Sequence, residues 1–134
     1  SSSPQRGLRA TVYTLTAALA GSGVTWLLAE RAAEFGNLAQ DIAAWCRPLH
    51  GMLALVGSIA FGSLVAAHAL PNWRKRKPRM TGVATMIIAV AIILTGGLLY
   101  YIGSEILRDW ASTVHWAAGL LGCLALSIHA YTHR

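Results

Sequence analysis

Four long runs of apolar residues dominate the chain, and short polar links separate them. The runs cover residues 8–28, 49–70, 80–102 and 112–132. Each run is about 20 residues long, which is enough for a helix to cross a hydrocarbon core of roughly 30 Å. Because a helix satisfies its backbone polar groups internally, the pattern predicts an all-α integral membrane four-helix bundle, with a single transmembrane domain over residues 1–134.

The longest link, from Glu30 to Arg47, has an apolar period of its own. Its large apolar residues recur every three or four positions: Phe35, Leu38, Ile42 and Trp45. This spacing predicts a short amphipathic helix that lies in the membrane interface. Pro48 predicts the first turn of the second spanning helix, because proline suits that position. Pro71 predicts the end of the same helix, because the residue before a proline disfavours helical structure.

Composition and charge agree with a membrane protein. Hydrophobic residues make up 55% of the chain and charged residues 12%, and the mean hydropathy is +0.52. A soluble domain has about twice that charged fraction. Aromatic residues near the ends of the runs predict an aromatic belt at the two interfaces: Trp26, Trp45, Trp73, Tyr100, Tyr101 and Trp110.

The net charge of +6 is unevenly distributed along the chain. Eight basic residues lie at the termini or in the 71–79 link: Arg6, Arg9, Arg74, Lys75, Arg76, Lys77, Arg79 and Arg134. The other two links hold three basic residues and all five acids. The positive-inside rule therefore predicts a multi-pass protein of the bacterial inner membrane with both termini in the cytoplasm. Contact with anionic lipid explains the basic cluster better than a nucleic-acid site does.

Histidines are the candidate functional residues. His50 and His68 lie in the second run, His115 and His129 lie in the fourth, and His133 follows one turn later. Ionisable side chains at membrane depth mark functional sites by default, and histidine is an axial ligand of haem iron. The chain has no CxxCH motif for covalent haem attachment. Two pairs of histidines therefore predict two non-covalent haems b between the helices.

Helical geometry predicts which histidines pair. The 14 residues from His115 to His129 rise about 21 Å and end some 40° short of four turns. The 18 residues from His50 to His68 rise about 27 Å and complete five turns. Each pair shares a face, and depth pairs His50 with His115 and His68 with His129. Because the spacings differ, His133 is an alternative to His129, although a bend at Gly57 or Gly62 would bring His129 level with His68.

Several segments of the chain resemble the four-helix family DUF4405: Leu94–Glu105, Asp109–Trp110, Val114–Trp116 and His68–Arg74. That family is similar to the cytochrome b subunits of formate dehydrogenases and nickel–iron hydrogenases, and to bacterial cytochrome b561. The resemblance covers residues 45–134 and implies bis-histidine b-type haem with a quinone as redox partner. The matching positions are His68, His115 and His129, and less closely His50. The family's relatives take one ligand from their first helix, and the first run here offers none. An arrangement with two ligands from the second run and two from the fourth is more similar to that of quinol:cytochrome c reductase.

We therefore expect a di-haem cytochrome b subunit that transfers electrons between the quinone pool and a periplasmic or membrane redox subunit of a larger oxidoreductase complex. One alternative is a self-contained oxidoreductase of the b561 type that acts on superoxide or ferric ions at the outer haem. A second alternative is a haem-free membrane anchor subunit.

Overall fold

The computed structural model describes residues 3–74 and 80–132, and their side chains from residue 6 onward. These residues are helical except at Gly36 and 102–104, and none of them forms a strand. The long helices are α1 (Ser3–Ala32), α2 (Asn37–Leu64), α4 (Met80–Tyr101) and α5 (Glu105–Thr132). Shorter elements are a 3₁₀ turn (Ala33–Phe35), a π-helical turn (Val65–Ala69) and α3 (Leu70–Arg74).

The four apolar runs predict an all-α structure, and this prediction is confirmed for the described residues. Four helices are long and apolar enough to cross a membrane, by length and composition. Their large apolar side chains stay largely exposed along the whole length, as for Leu55, Ile59 and Leu98. Helices that are apolar all round suit lipid or protein surroundings rather than water. The four-helix bundle, its two haems and the single domain over residues 1–134 stay predictions.

The predicted interfacial helix in the Glu30–Arg47 link is wrong. The segment from Asn37 belongs to α2, which continues through Pro48 without a break. The apolar period of the link runs in phase into the second run, so one helix accommodates both. Pro48 removes only the backbone hydrogen bond to the carbonyl of Ala44. Ala44 is exposed.

The prediction that Pro71 ends the second helix is also wrong. The helix passes through a π-helical turn at Val65–Ala69 and continues as α3 to Arg74. The amide N–H of Leu70 donates to the carbonyl of Val65, five residues back. A π turn widens the helix, which makes room for the proline ring where a regular helix would clash with it. Most of the basic cluster lies at residues 75–79, outside the described residues.

The chain divides into two compact units, Ser1–Leu70 and Pro71–Arg134. In the first unit, α1 and α2 pack as an antiparallel hairpin. Leu19 lies against Gly57, where an added Cβ would be 3.0 Å from Leu19 Cδ1. Arg47 donates to Glu30 across the hairpin at 3.2 Å, on an exposed surface. The Leu19 side chain therefore packs on the surface of α2 at Gly57, where a larger residue would require it to move.

In the second unit, α4 and α5 form another antiparallel hairpin, joined by the turn at 102–104. Gly122 lies against Ile92, and an added Cβ there would be 3.0 Å from Ile92 Cδ1. Arg108 donates to the carbonyl of Ile102 at 2.9 Å and thereby satisfies a backbone group at the turn. Each unit thus presents one histidine-bearing helix to a neighbour that contains no histidine among its described residues.

Candidate functional site

His50 lies on α2 with its half-buried ring against α1. Its Nδ1 atom is 2.9 Å from the hydroxyl of Ser22. The next residue of α1, Gly23, meets the same ring, and an added Cβ would lie 3.0 Å from His50 Cε1. The ring of Trp26, one turn further along, is 6.1 Å from the imidazole between centroids. The histidine ring is therefore held by a hydroxyl and rests on a glycine.

His115 occupies an equivalent position in the second unit, on α5 against α4. Its Nδ1 atom is 3.1 Å from the Thr95 hydroxyl and 3.1 Å from the carbonyl oxygen of Ile92. An added Cβ at Gly96 would lie 3.0 Å from His115 Cε1. A hydroxyl followed by a glycine thus fixes this ring as well, with a backbone carbonyl as a further acceptor.

His129 repeats the arrangement a third time, four turns further along α5. Its Nδ1 atom is 3.1 Å from the hydroxyl of Thr81. Gly82 meets the ring, with 3.2 Å between an added Cβ and His129 Cε1. His115 and His129 therefore both face α4, as the 14-residue spacing predicts. His133, the alternative to His129, lies outside the described residues.

The hydroxyl–glycine pairs were not found from the sequence: Ser22–Gly23, Thr81–Gly82 and Thr95–Gly96. For the two pairs on α4, the spacing along the sequence could have indicated their role. The pairs at Thr81 and Thr95 are 14 residues apart, and so are His115 and His129. In an antiparallel hairpin, equal spacings keep both contacts in register, since each helix advances about 21 Å over 14 residues.

His68 has different surroundings. It lies within the π-helical turn of Val65–Ala69. With Leu64 and Ala67 it lines a small cavity, and the opposite wall comes from Leu8 and Arg9 of α1. The π turn at Val65–Ala69 is the irregularity that α2 and its continuation to Arg74 show, and it includes His68 itself. Single π turns are frequent at functional sites.

Trp26, a residue of the predicted aromatic belt, packs beside His50. The guanidinium of Arg47 lies 5.6 Å from the centre of its ring, and the ring packs beside His50. The indole Nε1 atom is buried, with no hydrogen-bond partner among the described residues. The other five aromatic residues of the predicted belt are exposed. Trp26 forms part of the surroundings of His50, and the belt itself stays a prediction.

The imidazole rings fit haem ligation. A metal-ligating histidine almost always has its second ring nitrogen hydrogen-bonded, which fixes the orientation of the ring. Such a bond is present at Nδ1 of His50, His115 and His129. The structure groups each of these rings with a neighbouring helix of its own unit. The pairing of His50 with His115, and of His68 with His129, stays a prediction.

No cluster of three or more His, Cys, Asp or Glu side chains suited to a bare metal ion occurs within residues 3–74 and 80–132. Haem iron takes only two axial side chains, so this finding does not bear on the haem sites. No protein-family model matches the chain, and no solved structure matches it at a significant level. The resemblance to the DUF4405 family therefore stays a prediction.

Proposed function

We propose that the protein is a membrane-embedded di-haem cytochrome b that transfers electrons between a quinone and a redox partner protein. The observation that carries this proposal is the threefold repeat of one arrangement. At His50, His115 and His129, a neighbouring helix supplies a hydroxyl to Nδ1 and a glycine beneath the ring. Three histidines packed by chance in apolar helices have no reason to share both features.

The axial ligands in this proposal are His50, His68, His115 and His129. Bound haem supplies one-electron chemistry at iron, and its potential depends on ligation, hydrogen bonding and burial. The side chains hold the imidazoles in place, and the apolar helices around them exclude water. Electron transfer of this kind requires no residue that makes or breaks bonds of a substrate.

Depth decides which histidines share a haem. His50 and His115 lie near the starts of the predicted spans at 49–70 and 112–132, and His68 and His129 lie near the ends of the same spans. With basic residues favouring the cytoplasm, the second pair holds the inner haem of a bacterial inner-membrane protein. Quinone, membrane lipid and a periplasmic or membrane redox subunit are the partners of such a protein, and nucleic acid is not.

The test is haem stoichiometry. The purified full chain, in mild detergent, should give two non-covalent haems b per chain in a pyridine haemochrome assay. His50→Ala or His115→Ala should each leave one haem, and the double variant should leave the same one. Absence of haem would overturn the proposal and favour the anchor subunit, and a covalently retained haem or a stoichiometry of one would overturn the pairing.

Ligand variants at the other end of the spans complete the assignment. His129→Ala and His68→Ala should remove the inner haem, with His133→Ala as the matched control that keeps both. Loss of the inner haem in His133→Ala alone would show that His133 is the ligand. Stopped-flow mixing of the oxidised protein with a quinol should reduce haem, and failure to do so would remove quinone from the proposal.

A further inference from the structure

We propose that Ser22, Thr81 and Thr95 are positioning residues, whose hydroxyl oxygens accept the Nδ1–H of the histidine ring that each contacts. Each hydroxyl would thereby select one neutral form of the imidazole, with the lone pair on Nε2. The part of this inference that concerns iron rests on the proposed function. The part that concerns the ring itself does not.

A count of protons at Ser22 gives the direction of its hydrogen bond to His50. A serine hydroxyl has a single hydrogen to donate. The Ser22 hydroxyl donates to the carbonyl of Leu19 at 3.1 Å, within its own helix. While that hydrogen lies on Leu19, the oxygen can only accept from His50 Nδ1, at 2.9 Å. In this arrangement the Nδ1 atom carries the hydrogen, and Nε2 carries the lone pair.

Two independent contacts give the same answer at His115. The Thr95 hydroxyl donates to the carbonyl of Ala91 at 2.7 Å, so its oxygen accepts from His115 Nδ1. The carbonyl of Ile92, 3.1 Å from the same nitrogen, has no hydrogen and can only accept. The Ile92 carbonyl therefore requires Nδ1–H, and the Thr95 hydroxyl accepts the same hydrogen when it donates to Ala91. Thr81 lies at the same distance from His129 Nδ1, and we assign it the same role.

The choice of ring form decides what the ligand does to iron. An acceptor at Nδ1–H increases the basicity of the imidazole, which makes Nε2 a stronger donor to a metal. A stronger donor favours the ferric state and lowers the reduction potential. Removal of the hydroxyl should therefore raise the potential of the haem concerned. The adjacent glycine holds the ring at the distance that the hydrogen bond needs, since an added Cβ would push the ring away.

The experiment is an optical redox titration of the purified full chain. Thr95→Val and Ser22→Ala should each raise the potential of the same haem, the outer one, and leave the other haem unchanged. Thr95→Ser keeps the hydroxyl and should restore the original potential. Thr85→Val is the matched control, because Thr85 is a half-buried α4 residue whose hydroxyl donates to the carbonyl of Thr81. Equal potentials in Thr95→Val and Thr85→Val, or no rescue by Thr95→Ser, would overturn the inference.

A second readout separates this inference from the proposed function. If the purified chain holds no haem, the proposed function fails, and nitrogen chemical shifts of labelled histidine rings then decide the positioning role. We expect Nδ1–H at His50 and His115, and a mixture of ring forms at His50 in Ser22→Ala. Nε2–H in the unmodified chain, or identical shifts with and without the Ser22 hydroxyl, would overturn it.

Discussion

Replacement of Gly96 by alanine tests the contact between α4 and the ring of His115. The added methyl group would lie 3.0 Å from His115 Cε1 and 3.4 Å from Nδ1. Carbon atoms in favourable contact are about 3.5–4.0 Å apart. The ring must therefore move by a few tenths of an ångström to accept the methyl group.

The ring has little freedom to move, and this decides the sign of the effect. Its Nδ1 atom is bonded to Thr95 and to the carbonyl of Ile92, both at 3.1 Å. A shift away from Gly96 lengthens these bonds. Overpacking of this kind costs about 1–3 kcal/mol, while alanine in a helix interior gains about 1 kcal/mol over glycine. We expect Gly96→Ala to lower the free energy of unfolding by about 0–2 kcal/mol.

Gly97→Ala is the matched control. Gly97 is the next residue of the same helix, it is exposed, and an added Cβ there would meet nothing within 4 Å. Its replacement keeps the gain in helix propensity without the clash, so we expect up to about 1 kcal/mol more stability. Unfolding of both variants in detergent, followed by circular dichroism, should separate them by about 1–3 kcal/mol.

Equal unfolding free energies for Gly96→Ala and Gly97→Ala would refute the reasoning, because they would mean that the His115 ring does not rest on Gly96. This outcome does not depend on haem. Where haem is bound, its absorption spectrum adds a second measurement: Gly96→Ala should perturb one haem, and Gly97→Ala should perturb neither.

Three other predictions follow from the first unit and from the charge pattern. Gly23→Ala should destabilise the α1–α2 hairpin and Gly21→Ala should not, because an added Cβ at Gly23 meets the His50 ring at 3.0 Å and one at Gly21 meets nothing within 4 Å. Thermal unfolding of the two variants measures the difference, and equal midpoints would contradict it. Arg47→Ala should lower the unfolding free energy by about 1 kcal/mol through loss of an exposed ion pair and a cation–π contact. Glu30→Gln should cost less, because the cation–π contact remains, so a larger loss in Glu30→Gln would be evidence against this contact. A reporter inserted at Asn37 should be periplasmic and one at the carboxyl terminus cytoplasmic, and the reverse result would invert the inner and outer sites.

The helices could be predicted from the sequence because apolar length and periodicity decide them. The boundaries at Pro48 and Pro71 could not. Rules for proline describe the average cost of one missing hydrogen bond and one steric clash. At Pro48 the long apolar period outweighs that cost, and at Pro71 the π turn before it relieves the clash. Neither compensation is visible in the residues that flank the proline.

The histidines could be predicted as a site for a simpler reason, namely that imidazole at membrane depth is costly without a role. Their neighbours could not, because serine, threonine and glycine are ordinary residues of apolar helices. A hydroxyl–glycine pair can be recognised as part of a site only when a second helix places a histidine ring on it. Of the described helices, α4 and α5 do this twice with the same 14-residue spacing.

The equal 14-residue spacing of hydroxyls and histidines occurs in the second unit and not in the first. On α4, the register that brings Thr95–Gly96 to His115 brings Thr81–Gly82 to His129. On α2, the histidines are 18 residues apart and the second lies in a π turn, so the 14-residue register of α4 and α5 does not apply to this hairpin. The residue of α1 that lies 14 positions before Ser22 is Leu8, and with Arg9 it lines the cavity beside His68.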